Sequence, residues 1–396
     1  MGSDRQYEIQ VSCGLGLAPG LAEEISALGL PVENVHETGV QTIGTLHDAM
    51  RMNLHLRTAY NVMLLLKRFR CRSCQQLYEE VGAIPWEQMI PNDGYISVVG
   101  RIETPSVDNT MYANVKTKDA IVDRLVAQTG RRPDSGKERT GLVFRLFWKG
   151  DEAWLYLDTS GQKLSDRGYR KMPHKAPMRE ALAAAVMTAT GYDGTLPLVN
   201  PMCGSGTLAI EAALLATGKA PGLLRSNYAF MYLRDFDADA WQAMRAEALK
   251  ESRRRTAERE PAAIIASDID PAAVRAAQQN ARTAGVEQLI DFHVCDFAET
   301  PLAETPGIIV MNPEYGSRMG EVQALEATYR RIGDFFKQRC AGWTGYVFTG
   351  NLDLAKKVHL RTSRRMPFYN ADIECRLLKY ELYAGTRRSG DHETAD

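Results

Sequence analysis

One ten-residue stretch constrains the fold of this chain more than any other. Residues 198–207 read Leu-Val-Asn-Pro-Met-Cys-Gly-Ser-Gly-Thr, an apolar strand that runs into a glycine turn and then a helix. Glycines in such a turn let the backbone approach a ligand where a Cβ would clash, and the helix N-terminus favours an anionic group. The stretch lacks the endings typical of ATP-binding and dinucleotide-binding loops. It therefore predicts a site for a nucleotide-containing cofactor, with a tight turn that binds no ligand as the alternative.

Three further apolar segments downstream also end in polar or glycine-rich turns. The first two end at Asp268 and Asp296, and the third runs into Asn-Pro-Glu-Tyr-Gly at residues 312–316. In a doubly wound parallel sheet these turns meet at one edge, where ligands bind. We therefore predict that Asp268 accepts hydrogen bonds from ribose hydroxyls and that Asp296 accepts one from an adenine amine.

At this point the chain resembles a class I S-adenosylmethionine-dependent methyltransferase. Residues 200–207 match the cofactor loop of the branch that methylates exocyclic amines, and residues 312–315 look like its Asp/Asn-Pro-Pro-Phe/Tyr motif. Residues 164–170 and 176–180 are similar, more narrowly, to THUMP-domain RNA guanine-N2 methyltransferases of the bacterial large-subunit rRNA type. The resemblance covers nearly the whole chain and is most specific in its C-terminal half.

The resemblance implies S-adenosyl-L-methionine as cofactor and no metal. The residues that we expect around the cofactor are Asn200, Cys203, Gly204, Gly206, Thr207, Asp268, Asp296 and Phe297, the last beside the adenine. In the resembling family the loop at residues 160–178 lies over the methionine end of the cofactor. Lys175 or Arg179 is therefore a candidate to neutralise the cofactor carboxylate.

The motif at residues 312–315 predicts the chemistry. The exocyclic amine of a nucleobase is a weak nucleophile, because its lone pair is delocalised into the ring. We expect the Asn312 side-chain oxygen and the Pro313 carbonyl to accept the amine hydrogens, and Tyr315 to stack on a base that is turned out of its helix. Glu314 replaces the second proline of the motif, so it either accepts from guanine N1–H and N2–H or faces solvent.

The motif at residues 312–315 fits several substrates that carry an amine or amide nitrogen. The predicted activity is methyl transfer to guanine N2, with 23S rRNA as the first expectation. The alternatives are tRNA guanine N2, adenine N6, a glutamine side-chain amide, or no turnover at all in an RNA-binding ribosome-assembly factor. The RNA-binding resemblance of the N-terminal half argues against DNA and protein substrates.

The predicted fold class is α/β, with a Rossmann-like seven-stranded C-terminal sheet preceded by an α+β region. Its last two strands are expected at residues 345–349 and 373–383, with the seventh antiparallel. The resemblance divides the chain into a ferredoxin-like module (1–65), a THUMP RNA-binding domain (66–160), a class I methyltransferase domain (161–385) and a polar tail (386–396). Periodicity alone supports only an α+β fold before residue 160.

Charge restricts how RNA could be bound. The net charge is −1 and the pI about 6.7, which excludes a globally basic nucleic-acid binder. Local basic stretches lie at residues 67–72, where a solvated face is an equal alternative, and at residues 163–179, where we favour phosphate contact. The candidate RNA-binding residues are Lys116, Lys118, Arg131, Arg132, Arg167 and Arg170.

Seven cysteines in 396 residues, an odd and scattered set, fit a reducing compartment better than a disulfide framework. The pair Cys71 and Cys74 has no second pair or histidines at zinc-ligand spacing, so two incidental thiols are the preferred interpretation. No signal peptide or membrane span is recognised, and the expected location is the cytoplasm. The oligomeric state is left open.

Overall fold

An eight-stranded sheet occupies the N-terminal half of the computed structural model, which describes residues 5–107, 109–172, 178–316 and 319–383. Its strands are β1 (Tyr7–Cys13), β2 (Asn34–His36), β3 (Gly39–Gly44), β4 (Ala59–Arg70), β5 (Tyr95–Glu103), β6 (Asp134–Ser135), β7 (Leu142–Lys149) and β8 (Glu152–Asp158). They lie in the order β2-β3-β1-β4-β8-β7-β5-β6. β1 alternates buried and more exposed positions, as expected of a strand with one face on a core.

Four helices accompany this sheet: α1 (Ala18–Ala27), α2 (Leu46–His55), α3 (Cys74–Gly82) and α4 (Thr110–Thr129). Their ends follow local sequence signals. Thr45 and Asp48 form a capping box at the start of α2, in which each side chain accepts from the backbone N–H of the other. Asn109 caps α4, which ends at Gly130 in the left-handed conformation.

The second sheet has seven strands: β9 (Leu198–Pro201), β10 (Ile264–Asp268), β11 (Ile290–Val294), β12 (Ile308–Met311), β13 (Thr344–Thr349), β14 (Arg364–Asn370) and β15 (Ile373–Glu381). Their order is β11-β10-β9-β12-β13-β15-β14. β9 to β13 are parallel, and β15 is antiparallel to both of its neighbours. The α/β fold and the antiparallel last strand are confirmed, whereas β14 was not predicted.

Six helices complete the C-terminal half: α5 (Glu180–Ala189), α6 (Thr207–Ala216), α7 (Ala238–Glu258), α8 (Pro271–Ala284), α9 (Met319–Arg339) and α10 (Leu352–Lys356). One face of α9 packs into a core with β12 and β13 through buried side chains such as Tyr329, Ile332, Ile309 and Val347. Burial of each such side chain stabilises the fold by about 1.5–3 kcal/mol. This core supports the strands whose carboxyl ends carry the motifs.

The chain divides into two compact units. The first contains the described residues of 1–170, 178–185 and 217–260, and the second contains those of 171–177, 186–216 and 261–396. The segment 217–260 interrupts the methyltransferase-like half in sequence, yet it belongs to the first unit. Arg57 donates to the Lys219 carbonyl oxygen at 2.9 Å, and the Phe230 N–H donates to the Thr159 carbonyl oxygen at 3.2 Å.

Candidate cofactor and substrate site

The glycine turn after β9 adopts the left-handed conformation at three positions. Met202 has φ 59°, Gly204 φ 55° and Gly206 φ 82°. A Cβ at Gly206 would lie 2.8 Å from the Ala277 Cβ of α8, whereas a Cβ at Gly204 would meet nothing within 4 Å. Gly206 is therefore required by the packing of α6 on α8 and by its own φ, and Gly204 only by its φ.

Asp268, at the end of β10, organises this turn. Its Oδ2 accepts from the Gly204 N–H at 2.9 Å, and its Oδ1 accepts from the Asp270 N–H at 3.0 Å. The Cys203 N–H donates to the Ser267 carbonyl oxygen at 2.8 Å, which fixes the turn to the same strand. Each carboxylate oxygen keeps a further lone pair, so Asp268 can still accept from a ligand hydroxyl.

Three of the predicted cofactor residues are buried in the turn or directly beside it. Asn200 is fully buried, and its Nδ2 donates to the Val310 carbonyl oxygen at 2.7 Å, which joins β9 to β12. Thr207 is buried at the start of α6. Cys203 is also buried, and burial raises the pKa of its thiol well above the usual range, so the thiol stays protonated.

Asp296 follows β11, two strands from the turn. Its Oδ1 accepts from the Ala298 N–H at 2.9 Å and from Arg331 Nη2 at 2.7 Å. Burial acts to raise the pKa of Asp296, but these hydrogen bonds and the charge of Arg331 outweigh it and hold the pKa below its ordinary value. Asp296 is thus ionised and able to accept at neutral pH.

Phe297, which sequence analysis expected beside an adenine, lies in the hydrophobic core of the second unit. Phe297 is only 6% exposed and packs edge-on against Phe335, with ring centroids 6.2 Å apart. The Arg331 guanidinium covers the ring at 4.9 Å from its centroid. Phe297 belongs to the core because the short helix that follows Asp296 turns it inward.

Two apolar side chains that sequence analysis missed are exposed at this edge. Ile269, directly after Asp268, is 70% exposed, and Val294, the last residue of β11, is 54% exposed. Apolar side chains at the carboxyl ends of adjacent strands can contact a flat aromatic ring. The available signal was an apolar residue standing between two aspartates at positions 268 and 270.

Asn312 follows β12, and β12 is the direct parallel neighbour of β9, from which the glycine turn emerges. Neighbouring strands lie about 4.8 Å apart, so the asparagine and the turn begin side by side at one edge of the sheet. The Asn312 Oδ1 is buried and has no hydrogen-bond partner within the described residues. A buried unpaired acceptor costs about 1–3 kcal/mol, which a donor from a bound base would remove. Pro313 is buried and Glu314 is exposed.

Tyr315 is held by residues from two other elements. Its hydroxyl accepts from Asn370 Nδ2 at 2.8 Å, at the end of β14, and its carbonyl oxygen accepts from Asn351 Nδ2 at 3.4 Å. A Cβ on Gly350 would lie 3.1 Å from the Tyr315 ring, so this glycine makes room for it. Sequence analysis missed these contacts because the partners lie 36 and 55 residues away along the chain.

Asn280 of α8 is a second residue that sequence analysis missed. It is fully buried, and its Nδ2 donates to the carbonyl oxygens of Ser205 at 3.1 Å and Met172 at 3.2 Å. Its Oδ1 accepts from the N–H groups of Lys171 at 3.0 Å and Met172 at 3.2 Å. One side chain thereby connects the glycine turn to the segment at residues 171–172.

Two predicted RNA-binding arginines are not available at the surface. Arg167 is 1% exposed and donates to the Arg57 carbonyl oxygen at 2.7 Å. Arg170 pairs with Glu180 at 3.2 Å and donates to the Met178 carbonyl oxygen at 2.9 Å. A buried guanidinium cannot reach a phosphate without rearrangement, so Arg167 is withdrawn from the RNA-binding set, and Arg170 is engaged within the protein.

The four THUMP candidates lie in more open positions. Arg131 and Arg132 are exposed. Lys116 lies over the rings of Tyr78 and Tyr112, and Lys118 is 3.7 Å from a carboxylate oxygen of Asp119. The candidate Lys175 lies outside the described residues.

The basic stretch at residues 67–72 is largely neutralised. Lys67 pairs with Glu80 at 2.7 Å, Arg68 with Glu152 at 2.9 Å and Arg72 with Asp151 at 2.8 Å. Within the described ranges, no three His, Cys, Asp or Glu side chains form a group that could hold a metal ion. None of the described helices is long and apolar enough to cross a membrane.

Family models match three consecutive regions of the chain. A family model described as an RMKL-like methyltransferase domain matches residues 167–379, more than half of the chain. Models of an RlmL ferredoxin-like domain and of a THUMP domain match residues 8–63 and 71–158.

Relatives and solved structures give the same result. The chain is 36% identical to a ribosomal RNA large subunit methyltransferase K/L of Syntrophotalea carbinolica, over 93% of this chain and 52% of the relative. It is 34% identical to the putative RNA methyltransferase slr0064 of Synechocystis sp., over 93% of this chain and 95% of the relative. The crystal structure of SMU.472, a putative methyltransferase complexed with SAH, superposes with a TM-score of 0.84 at 25% identity, over 98% of this chain and 100% of that one.

Fold and site together define a class I methyltransferase domain preceded by ferredoxin-like and THUMP domains, as the resemblance implied. This chain belongs to the RMKL-like methyltransferase family. It spans about half the length of the K/L relatives that it matches.

Proposed function

We propose that this protein is an S-adenosylmethionine-dependent RNA methyltransferase that modifies the exocyclic N2 amine of a guanine, with 23S rRNA as the first substrate. The observation that carries the proposal is the adjacency of β9 and β12, which brings Asn312, with its unpaired buried Oδ1, beside the glycine turn. A cofactor loop and an amine-binding asparagine have to be neighbours for methyl transfer to be possible.

The residues present fit the proposed cofactor. The N–H groups at the start of α6 and the open space at Gly204 suit the methionine and ribose parts. Asp268 accepts from the ribose hydroxyls, Asp296 accepts from the adenine amine, and Ile269 takes the place of Phe297 as the apolar contact of the adenine ring. When bound, S-adenosylmethionine supplies an electrophilic methyl group on a positively charged sulfur.

The substrate side needs three groups from this chain. Asn312 Oδ1 and the Pro313 carbonyl oxygen accept the two hydrogens of the amine, which directs its lone pair toward the methyl carbon. Tyr315 stacks on the base. Transfer of the methyl group that the bound cofactor would supply leaves an extra proton on the nitrogen, which passes to solvent, so no strong general base is required from this chain.

RNA is favoured because the THUMP model matches residues 71–158 and because relatives carry RNA methyltransferase names. Exposed Glu314 could accept from guanine N1–H, which favours guanine over adenine N6 at this site. Lys116, Lys118, Arg131 and Arg132 remain the proposed THUMP contacts. We infer the cytoplasm as the location, as sequence analysis expected, and we retain the predicted domain limits at residues 65, 160 and 385 as part of the proposal.

Transfer of tritium from labelled S-adenosylmethionine to purified rRNA and tRNA, followed by nucleoside analysis, tests the proposal. We expect label in N2-methylguanosine of 23S rRNA. Asn312→Ala should lower kcat by on the order of 10²-fold without loss of cofactor affinity, because it misplaces the amine. Asn34→Ala, an exposed asparagine on β2, is the matched control.

Label in N6-methyladenosine or in tRNA alone would transfer the assignment to one of the alternative substrates. Absence of measurable cofactor binding by the folded wild-type protein would refute the proposal.

A further inference from the structure

An aromatic ring of the first unit lies between basic side chains that come from distant parts of the chain. The Lys163 Nζ is 5.1 Å from the centroid of the Tyr60 ring, and the Arg179 guanidinium carbon is 5.9 Å from it. Tyr60 is the second residue of β4, whereas Lys163 and Arg179 come from the part of the chain that precedes α5. Tyr60 and Lys163 are partly buried and Arg179 is exposed.

These cations lack the carboxylate partners that other basic residues of the chain have. Within the described residues no ion pair is found for Lys163, Arg179 or Arg139, whereas Arg145 pairs with Asp158 at 2.6 Å. The pKa of Lys163 is lowered, first by burial and then by the positive charge of Arg179. The carboxylate of Asp166 acts in the opposite direction but does not outweigh these effects. The smaller effects of Arg145 and Arg139 have the same sign as that of Arg179.

The basic residues of the stretch 67–72 differ from Lys163 and Arg179, because they are paired with carboxylates. In that stretch Lys67, Arg68 and Arg72 each have a carboxylate within 2.9 Å. Around Lys163 the positive charges of Arg179, Arg145 and Arg139 face the single counter-charge of Asp166. Like charges in excess repel one another, and an anion placed among them reduces that repulsion. A phosphate group has the charge and the acceptor oxygens that lysine and arginine bind best.

We propose that Lys163 and Arg179, grouped around Tyr60, bind a phosphodiester group of the RNA substrate away from the modified nucleotide. Sequence analysis favoured phosphate contact for the whole stretch at residues 163–179, and within it Lys163 and Arg179 take the role first given to Arg167, which is buried, and to Arg170, which pairs with Glu180. It rests on the proposed function only in that RNA is the substrate. The Tyr60 ring holds the charged ends of both side chains by cation–π contact.

The test measures the affinity of the full chain for an unmodified 23S rRNA transcript by fluorescence anisotropy, across KCl concentrations of about 50 to 300 mM. Each phosphate contact contributes about 0.7 to 0.9 to the slope of log affinity against log salt concentration. Lys163→Gln with Arg179→Gln should therefore lower the slope by about 1 to 2 and weaken binding roughly tenfold at low salt. The matched control is Lys67→Gln with Arg68→Gln, which removes two cations that are already paired.

Lys163→Arg with Arg179→Lys keeps both charges and should retain the wild-type slope. This result would show that the lower slope of the double Gln variant comes from the lost charges and not from misfolding. A double Gln variant with the wild-type slope, or a control that loses as much, would overturn the site. Weakened cofactor binding with unchanged RNA binding would also overturn it, because Arg179 would then serve the cofactor carboxylate. A wild-type protein that binds RNA with this slope but transfers no methyl group would leave the site standing and remove the proposed function.

Discussion

Replacing each glycine of the cofactor turn by alanine should separate backbone strain from packing. Gly204 and Gly206 both have positive φ, 55° and 82°, but only at Gly206 does an added Cβ meet another atom closely, the Ala277 Cβ at 2.8 Å. The two substitutions are chemically identical and lie two residues apart. Their difference in stability therefore reports the contact between α6 and α8.

The magnitudes follow from the geometry. A left-handed conformation costs a non-glycine residue about 1–2 kcal/mol. The loss of unfolded-state entropy on replacing glycine returns about 0.4–1 kcal/mol. Gly204→Ala should thus lower the free energy of unfolding by about 0–1.5 kcal/mol. Gly206→Ala adds overpacking of about 1–3 kcal/mol and should cost about 1–4.5 kcal/mol in total.

The assay is urea unfolding of the full chain, supported by the melting temperature and by the affinity for S-adenosylhomocysteine. Ala277→Gly alone costs about 1 kcal/mol in the interior of α8 and is measured as a single variant. After that cost is subtracted, the double variant with Gly206→Ala should recover part of the loss, because it removes the atom at 2.8 Å. The second contact, to the Ala277 Cα at 3.2 Å, remains, so the recovery is incomplete. Equal destabilisation by the two single variants, or no recovery in the double variant, would refute this account of the turn.

Three further predictions concern residues around the site. Asn370→Leu should lower kcat/KM for RNA roughly fivefold, the equivalent of one hydrogen bond of about 1 kcal/mol. The double variant with Tyr315→Phe should show no further loss, because both substitutions remove the same hydrogen bond. Ile269→Ser should weaken cofactor binding roughly fivefold by removing apolar contact area, as measured by calorimetry. Arg331→Met should make the melting temperature less sensitive to acid. Because the pKa of Asp296 is lowered in the folded protein, its contribution is present above an unfolded pKa of about 3.9 and is lost as pH falls through the folded pKa.

Each of these predictions has a contrary result. Fully additive losses in kcat/KM for the Asn370 and Tyr315 variants would mean that the two residues act separately. The control Val35→Ser replaces an apolar side chain that is 46% exposed on β2. If it lowers cofactor affinity as much as Ile269→Ser does, the loss does not come from a contact between Ile269 and the cofactor. Identical acid sensitivity of wild type and Arg331→Met would show that the ion pair does not set the pKa of Asp296.

Local sequence was sufficient for much of the fold. The strand that runs into the glycine turn, the acids Asp268 and Asp296 that follow the next two apolar segments, and the last strand at residues 373–383 were all predicted, because apolar runs and glycines act within a few residues. The resemblance added the domain order and the family, both confirmed by the family models. The identities of the site residues remain predictions.

Tertiary structure alone decided which of these residues are buried and which are exposed. Phe297 and Arg167 have polar or exposed neighbours in sequence, yet packing buries both. Asn280 and Asn370 hydrogen-bond to Ser205 and Tyr315, which lie 75 and 55 residues away along the chain, and Ile269 is left exposed at the end of β10. Burial and long-range hydrogen bonds depend on which elements become neighbours, and that depends on the free energy of the whole fold rather than on any short stretch of sequence.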